Sequence, residues 1–289
     1  MITIENLTKR YRKTTVLNNL SLTIEKGLFG LLGPNGAGKT TFMRMVATLL
    51  PMTSGNIVID GVSLKENPHA IREKIGYLPQ YFNLYPQLRG WEFLDYVAVM
   101  KGIKDKQVRR TEVSALLKAV NLESVADKKL KTYSGGMKQR IGIAQALIGN
   151  PDVLIVDEPT AGLDPEERVR FRNLLSDIST ERAVILSTHI VADIESSCDQ
   201  LAVLNKGQLM MSGNVADLTD FAEGKMWDVT VDEREKHLFK EEQIVATRRA
   251  GSDLYVKVLS DEKPCDYAIP TSPTLEDGYM ALIGGHGNV

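Results

Sequence analysis

Near the start of the chain, Gly33-Pro34-Asn35-Gly36-Ala37-Gly38-Lys39-Thr40-Thr41 combines residue types and spacing suited to gripping a phosphate chain. The stretch satisfies G-x-x-x-x-G-K-[ST], with an apolar run from Leu28 to Leu32 before it and a helical pattern from Thr41 to Leu50 after it. Glycines let the backbone curl around phosphate oxygens with its N–H groups pointing inward, and the following helix presents the positive end of its dipole. Lys39 is placed to reach the β- and γ-phosphates, and the Thr40 hydroxyl to ligate magnesium. The expected ligand is a nucleoside triphosphate.

A second group lies further along. The run Val153 to Val156 ends in Asp157-Glu158-Pro159. In a phosphate-loop enzyme the first carboxylate of such a pair holds magnesium, which assigns Asp157 to the metal. Glu158 is then the candidate to polarise an attacking water, a role worth about a hundred- to ten-thousandfold in rate. A third group, Tyr133-Ser134-Gly135-Gly136-Met137-Lys138-Gln139-Arg140, precedes a helical stretch from Ile141 to Ile148. A serine and two glycines at a helix start offer a hydroxyl, bare N–H groups and a helix dipole to an anion. Taken alone, the same residues also fit an ordinary helix cap.

The elements that must hold these groups are readable from periodicity. Residues 2 to 32 read as strands, with Val16, Leu20, Leu22 and Ile24 on one face. Strands are expected at Asn56 to Asp60 and Ile75 to Leu78. From about Pro86 to Gly149 the pattern turns helical, with Trp91, Leu94 and Val97/Ala98 sharing one face and Val113, Leu116/Leu117 and Val120 another. Buried strands return at Val153 to Val156 and Val184 to Leu186. Asp164-Pro165 starts a helix, and a hairpin turns at Lys206-Gly207. Beyond about Asn214 the signal weakens to two strands, Trp227 to Val231 and Leu254 to Leu259, and a closing helix from Thr274 to Ile283. The expected fold is α/β, a nucleotide-binding core over residues 1–215 with a helical insert at about 86–149, then a small α+β extension over 216–289.

Composition narrows the function. A formal charge of -2 over 289 residues argues against general nucleic-acid affinity. Cys198 and Cys265 have no metal-like spacing and read as apolar filler. No apolar run reaches the roughly 18 residues that a membrane span needs, so the expectation is a cytosolic chain, or one docked on a membrane through something else. His69, His237 and His286 stand apart from any chemical group and read as solvated.

Taken in order, the phosphate loop, Gln80 in Leu78-Pro79-Gln80, Ser134-Gly135-Gly136, Asp157-Glu158, Ala161-Gly162-Leu163-Asp164 and His189 in Ser187-Thr188-His189 resemble the ATP-binding cassette subunits of ABC transporters. The resemblance spans residues 1 to about 215. The tail Ser272-Pro273-Thr274-Leu275-Glu276-Asp277 is similar to cassettes of the branch that exports drugs, antibiotics and polysaccharides. The resemblance implies ATP and magnesium as ligands. It implies that Tyr11 stacks on adenine and that Gln80 touches magnesium and the lytic water. Ser134, Gly135 and Gly136 would cover the γ-phosphate held by a partner cassette, with Asp164 at the subunit contact. His189 would hold the γ-phosphate and orient Glu158. Two positions depart from the family pattern: Tyr133 replaces the usual leucine, and Met137 the usual glutamine.

One phosphate loop and one signature per chain imply two cassettes, identical or related, sandwiching ATP and moving a separate membrane-spanning subunit from the cytoplasmic face of the membrane. Tyr81, Phe82, Leu84, Tyr85 and Leu88 are candidates for the docking surface, or else for the core of the helical block. A non-transport cassette, acting as a nucleotide-dependent regulatory module with residues 216–289 as ligand sensor, is the alternative reading.

Overall fold

The structure, a computed structural model, describes residues 1–232, 239–251 and 253–284. His237 and His286 lie outside the described residues. The chain opens with a hairpin, β1 (Ile2–Tyr11) and β2 (Thr14–Ile24), and runs on as β3 (Gly27–Leu32) into the glycine-rich loop and α1 (Lys39–Val46). It returns as β4 (Ser54–Ile59) and the short β5 (Val62–Ser63), then passes through α2 (Pro68–Lys74) into β6 (Ile75–Leu78). Three helices follow: α3 (Gly90–Met100), α4 (Lys106–Ala119) and α5 (Gly135–Leu147). Next come β7 (Val153–Asp157), α6 (Pro165–Ser179), β8 (Ala183–Thr188), α7 (Val191–Glu195), β9 (Gln200–Asn205) and β10 (Gln208–Asn214).

Strands β9, β3, β8, β7 and β6 run parallel, with β10 antiparallel at the edge, in the order β10-β9-β3-β8-β7-β6. Both faces of this sheet are buried, which explains its continuous apolar runs. Along β7, Val153 and Ile155 face one core, shared with the antiparallel sheet β2-β1-β4-β5 and with Phe42 and Met43 of α1. Leu154 and Val156 face the other, shared with Leu94 of α3, Leu117 of α4 and Ile141 of α5.

In β2 the buried residue is Leu17, at 0% exposure, where simple alternation points to Val16. The cause is local. The β1–β2 register shifts on both sides of the Lys9–Leu17 pair, and Asn19 takes a left-handed φ of 55°, so the alternation is reset. The helix after the phosphate loop also differs from expectation: it starts at Lys39 and stops at Val46. On α3 the buried face carries Phe93 with Leu94 and Ala98, while Trp91 is exposed and hydrogen bonds Asp127. Cys198 is buried in the main core; Cys265 is only partly buried.

The last part of the chain contains β11 (Met226–Asp232), β12 (Ile244–Ala250), β13 (Asp253–Leu259), β14 (Ile269–Pro270) and α8 (Leu275–Gly284). The sheet β12-β13-β11-β14 has its own small core around Val229, Val231, Leu254, Val256 and Val258. Helix α8 does not join it. Leu275, Tyr279 and Leu282 instead enter the main core beside Leu218 and Ile194.

Tyr133, one of the two departures from the family pattern, is 4% exposed, and its hydroxyl donates to Val125 O at 3.0 Å. The ring is accommodated because α3 begins with glycine: a Cβ on Gly90 would lie 2.2 Å from the Tyr133 hydroxyl oxygen. Gly90→Ala is therefore expected to cost about 1–3 kcal/mol by overpacking. Tyr133→Phe alone should cost about 1 kcal/mol for the lost hydrogen bond. The double variant should recover most of the Gly90→Ala loss. Urea unfolding of the four proteins checks this, and strictly additive losses would refute the contact.

Candidate functional site

The chemistry collects where the parallel strands end. Leu32 pairs with Thr188, Asp157 with Ser187, and Leu78 with Val156. The next residues along each strand are thus Gly33, His189, Glu158 and, two positions on, Gln80. This register brings four groups distant in sequence to one crevice at the carboxyl ends of the strands, where open α/β sheets bind ligands.

Glu158 is the hub. Its Oε1 lies 3.3 Å from Lys39 Nζ, and its Oε2 accepts from Gln80 Nε2 at 3.1 Å and lies 3.4 Å from His189 Nδ1. The side chain is 10% exposed and that of Lys39 5%, whereas His189 is 41% exposed and faces the opening. Glu158 adopts a left-handed φ of 47°, unusual for a residue with a side chain. Its N–H is tied to Ser187 O and Ser187 Oγ, both at 3.1 Å, which hold that conformation. The kink lets Asp157 and Glu158 serve different partners, though they are adjacent.

Asp157 is fully buried. Its Oδ1 accepts from Ser187 Oγ at 2.5 Å, while Oδ2 is buried without a hydrogen-bond partner. Burial pushes its pKa above the ordinary carboxylate value of 3.8, against the lowering effect of the Ser187 and Thr40 hydroxyls. A lone buried carboxylate oxygen beside a threonine hydroxyl suits a hard cation. Among the described residues no group of three or more His, Cys, Asp or Glu is arranged to hold a metal ion by itself. A cation here would therefore draw its other ligands from phosphate and water, as magnesium does in nucleotide sites.

In the loop itself, Lys39 Nζ donates to Gly33 O at 2.7 Å and Pro34 O at 3.3 Å. Gly38 has a φ of 104°, and a Cβ there would lie 2.5 Å from Leu17 Cδ2. This glycine is thus required by the loop's seat on β2 as well as by its curvature. Asn35 and Gly36 are exposed at the rim, Ala37 is buried beneath, and Thr40 and Thr41 open α1.

Ser134 caps α5, its Oγ accepting from Met137 N at 3.2 Å. Gly135 is exposed, and Gly136 packs so closely on Glu167 that a Cβ would clash with its carboxylate. Met137 turns inward against the main core. Asp164 caps α6 through Glu167 N at 2.8 Å. Tyr11 ends β1 half-exposed, with Lys9 Nζ 4.8 Å from its ring centre. The structure thus brings Lys39, Gln80, Asp157, Glu158 and His189 together, while the bonds of Ser134, Asp164 and Tyr11 are to their own helix ends and strand.

The family model described as ABC transporter matches residues 17–161. Across 99% of this chain and 97% of its own length, the bacitracin transport ATP-binding protein BcrA of Enterococcus faecalis is 34% identical. The Nod factor export ATP-binding protein I of Ralstonia nicotianae is 36% identical over 75% of this chain and 68% of its own. Among solved structures, the dimeric post-hydrolysis cassette MJ0796 bound to ADP and Pi superposes with a TM-score of 0.66 at 28% identity, covering 74% of this chain and 98% of that one. The chain belongs to the ABC transporter family.

As an ABC ATP-binding subunit it has the P-loop NTPase fold, it binds and hydrolyses ATP, and it works with a membrane-spanning subunit. Among the described residues no helix is long and apolar enough to cross a membrane. Ser187 is a participant that sequence reasoning passed over: it sits between Asp157 and Glu158 and bonds to both. Its signal was a polar residue closing an otherwise apolar strand, Val184 to Leu186. Thr160 and Asp193, buried behind the site and bonded to each other at 2.7 Å, were also missed.

The raised pKa of Asp157 gives a testable sign. A carboxyl that holds its proton more tightly when folded adds no penalty below pH 3.8. It destabilises progressively as pH rises above that value, so the cost at neutral pH exceeds that in acid. Asp157→Asn is expected to melt at a higher temperature than the native chain at neutral pH without nucleotide. The gap should narrow toward acid pH, and added magnesium and ATP should no longer raise the melting point by the native increment. A lower neutral-pH melting point for the variant would overturn the assignment.

Proposed function

We propose that this subunit closes on ATP with a second cassette and reopens on hydrolysis, and that this stroke drives an exporting membrane-spanning partner. The observation that supports it most is the Glu158 carboxylate gathered by Lys39, Gln80 and His189 at the strand ends. In this reading the loop Gly33 to Thr41 binds the triphosphate, with Tyr11 against the adenine. Thr40, Asp157 and Gln80 would hold a magnesium ion, which supplies charge neutralisation at the phosphates. Glu158 accepts the proton of the attacking water, and His189 orients that water and the γ-phosphate. Hydrolysis is an in-line displacement at phosphorus, so positioning and charge complementarity carry most of the rate.

The site is half complete in one chain. Ser134 and Gly135 stand exposed at the N-terminus of α5, with Gly136 buried behind them and Asp164 on the adjoining surface. We assign them to the γ-phosphate held by the mate, whether a second copy or a related chain. ATP then bridges two subunits, and its cleavage removes the bridge. Export is favoured by the relatives, one named for bacitracin transport and one for Nod factor export. No observation favours the regulatory-module alternative. We place the subunit on the cytoplasmic face of the membrane, with residues 1–215 as the ATPase unit, a helical insert at about 86–149, and 216–289 as an extension.

The docking candidates divide. Phe82, Leu84 and Leu88 pack against the main core, whereas Tyr81 is 85% exposed and Tyr85 53%. Tyr85 stacks edge-on with the exposed Tyr96, ring centres 5.5 Å apart. We therefore assign partner contact to the tyrosines and core packing to the others. Tyr81→Ser with Tyr85→Ser should leave the ATPase activity of the isolated subunit within about twofold, since both are surface positions. The same pair should abolish ATP-driven transport in vesicles holding the whole transporter, and full transport would exclude this surface. Separately, Glu158→Gln should lower ATP turnover at least about a hundredfold. It should also accumulate an ATP-bound two-cassette complex in size-exclusion chromatography; near-normal turnover would reject Glu158 as the base.

A further inference from the structure

Among the buried charged residues that the mechanism leaves unused, one stands directly behind the site. Asp193, on α7, is 0% exposed, and its Oδ2 accepts from Thr160 Oγ1 at 2.7 Å and Thr188 Oγ1 at 3.4 Å. Its Oδ1 has no hydrogen-bond partner and lies 3.6 Å from an Arg172 guanidinium nitrogen. Arg172 itself donates to Ala192 O at 3.2 Å. A carboxylate taken wholly out of water costs several kcal/mol, so its partners here bear on its role.

The two donors are not arbitrary. Thr160 lies two residues beyond Glu158, in the turn where Ala161 N meets Glu158 O at 3.4 Å. Thr188 immediately precedes His189 and also accepts from Ile190 N at 3.0 Å. Both threonines are only 2% exposed, so neither hydroxyl can exchange its partner for water. One carboxylate oxygen therefore fastens the segment that presents Glu158 to the segment that presents His189. From this geometry we infer that Asp193 is a positioning residue for hydrolysis, setting the spacing between Glu158 and His189 without touching nucleotide. The inference rests on the proposed roles of those two residues.

The alternative is a carboxylate that only satisfies the core. Substitutions at Thr160 separate the two. Thr160→Val keeps the volume and removes the O–H, whereas Thr160→Ser keeps the O–H. With the full chain, magnesium and ATP, Thr160→Val and Asp193→Asn should each lower kcat about tenfold, within the range expected of small misplacements. KM for ATP should stay within about twofold, because the phosphate loop is untouched. Thr160→Ser should retain native kcat, and the double variant Thr160→Val/Asp193→Asn should be no slower than the slower single one.

A Thr160→Ser as slow as Thr160→Val, a loss expressed in KM alone, or multiplicative losses in the double variant would overturn the inference. If Asp193→Asn fails to fold, the Thr160 pair decides alone. Glu158→Gln run alongside separates the two levels. Native turnover there removes the base reading itself, whereas a dead Glu158→Gln beside a fast Thr160→Val removes only the positioning role.

Discussion

Burying an acid and a base together at the mouth of a sheet is costly unless each finds more than one partner. Lys39 and Glu158 meet this condition. The ammonium is shared among Gly33 O, Pro34 O and Glu158 Oε1, and the carboxylate among Lys39, Gln80 and His189. Neither charge is bound to a single dedicated group. In the proposed function, a triphosphate entering the loop exchanges against several moderate contacts instead of one short ion pair. The arrangement also joins distant segments: the loop after β3, the end of β7, the turn after β6 and the end of β8 all contribute to one cluster.

Hydrophobicity alone cannot set that cluster's register. Along β7 and β8 both faces are apolar, so a one-residue slip would exchange Val153 and Ile155 for Leu154 and Val156 with little loss of burial. What pins the pairing is polar and sits at the strand ends. Ser187 Oγ donates to Asp157 Oδ1, and Ser187 O and Oγ receive Glu158 N. The groups that align the strands are thus neighbours of Asp157 and Glu158, the groups proposed to act at the phosphates. Asp193 repeats the device at the same two strand ends through Thr160 and Thr188.

Legibility from sequence followed from how far each feature depends on distant partners. The phosphate loop, the acidic pair and the parallel strands could be read because spacing and apolar runs are local properties. The cap at Asn67-Pro68 was as local, yet it announces a helix too short to stand out by periodicity. Leu17 in place of Val16 could not be read, because the register shift that buries it depends on β1. The role of Asp193 was equally hidden: an acid four residues after a histidine is ordinary until Thr160, from another strand end, is placed against it. Tyr133 read as a departure at the signature because its compensation, Gly90, lies in a different helix.

The same dependence on distant partners governs the end of the chain. The sequence signal weakens near Asn214, but packing does not divide there. Lys257 of β13 donates to Asp277 Oδ2 at 2.5 Å, and Thr274 N and Oγ1 reach the same oxygen at 2.7 and 2.8 Å. Asp277 is 2% exposed, so the start of α8 is fastened to the last sheet by a buried charge. A Cβ on Gly278 would lie 2.0 Å from Leu218 O, so α8 meets backbone on its other side. Its apolar residues then share a core with Ile194 of α7, the helix that carries Asp193 and begins two residues after His189. The extension is therefore continuous by contact with the end of the sheet that carries the site, and α8 also braces the helix that follows His189.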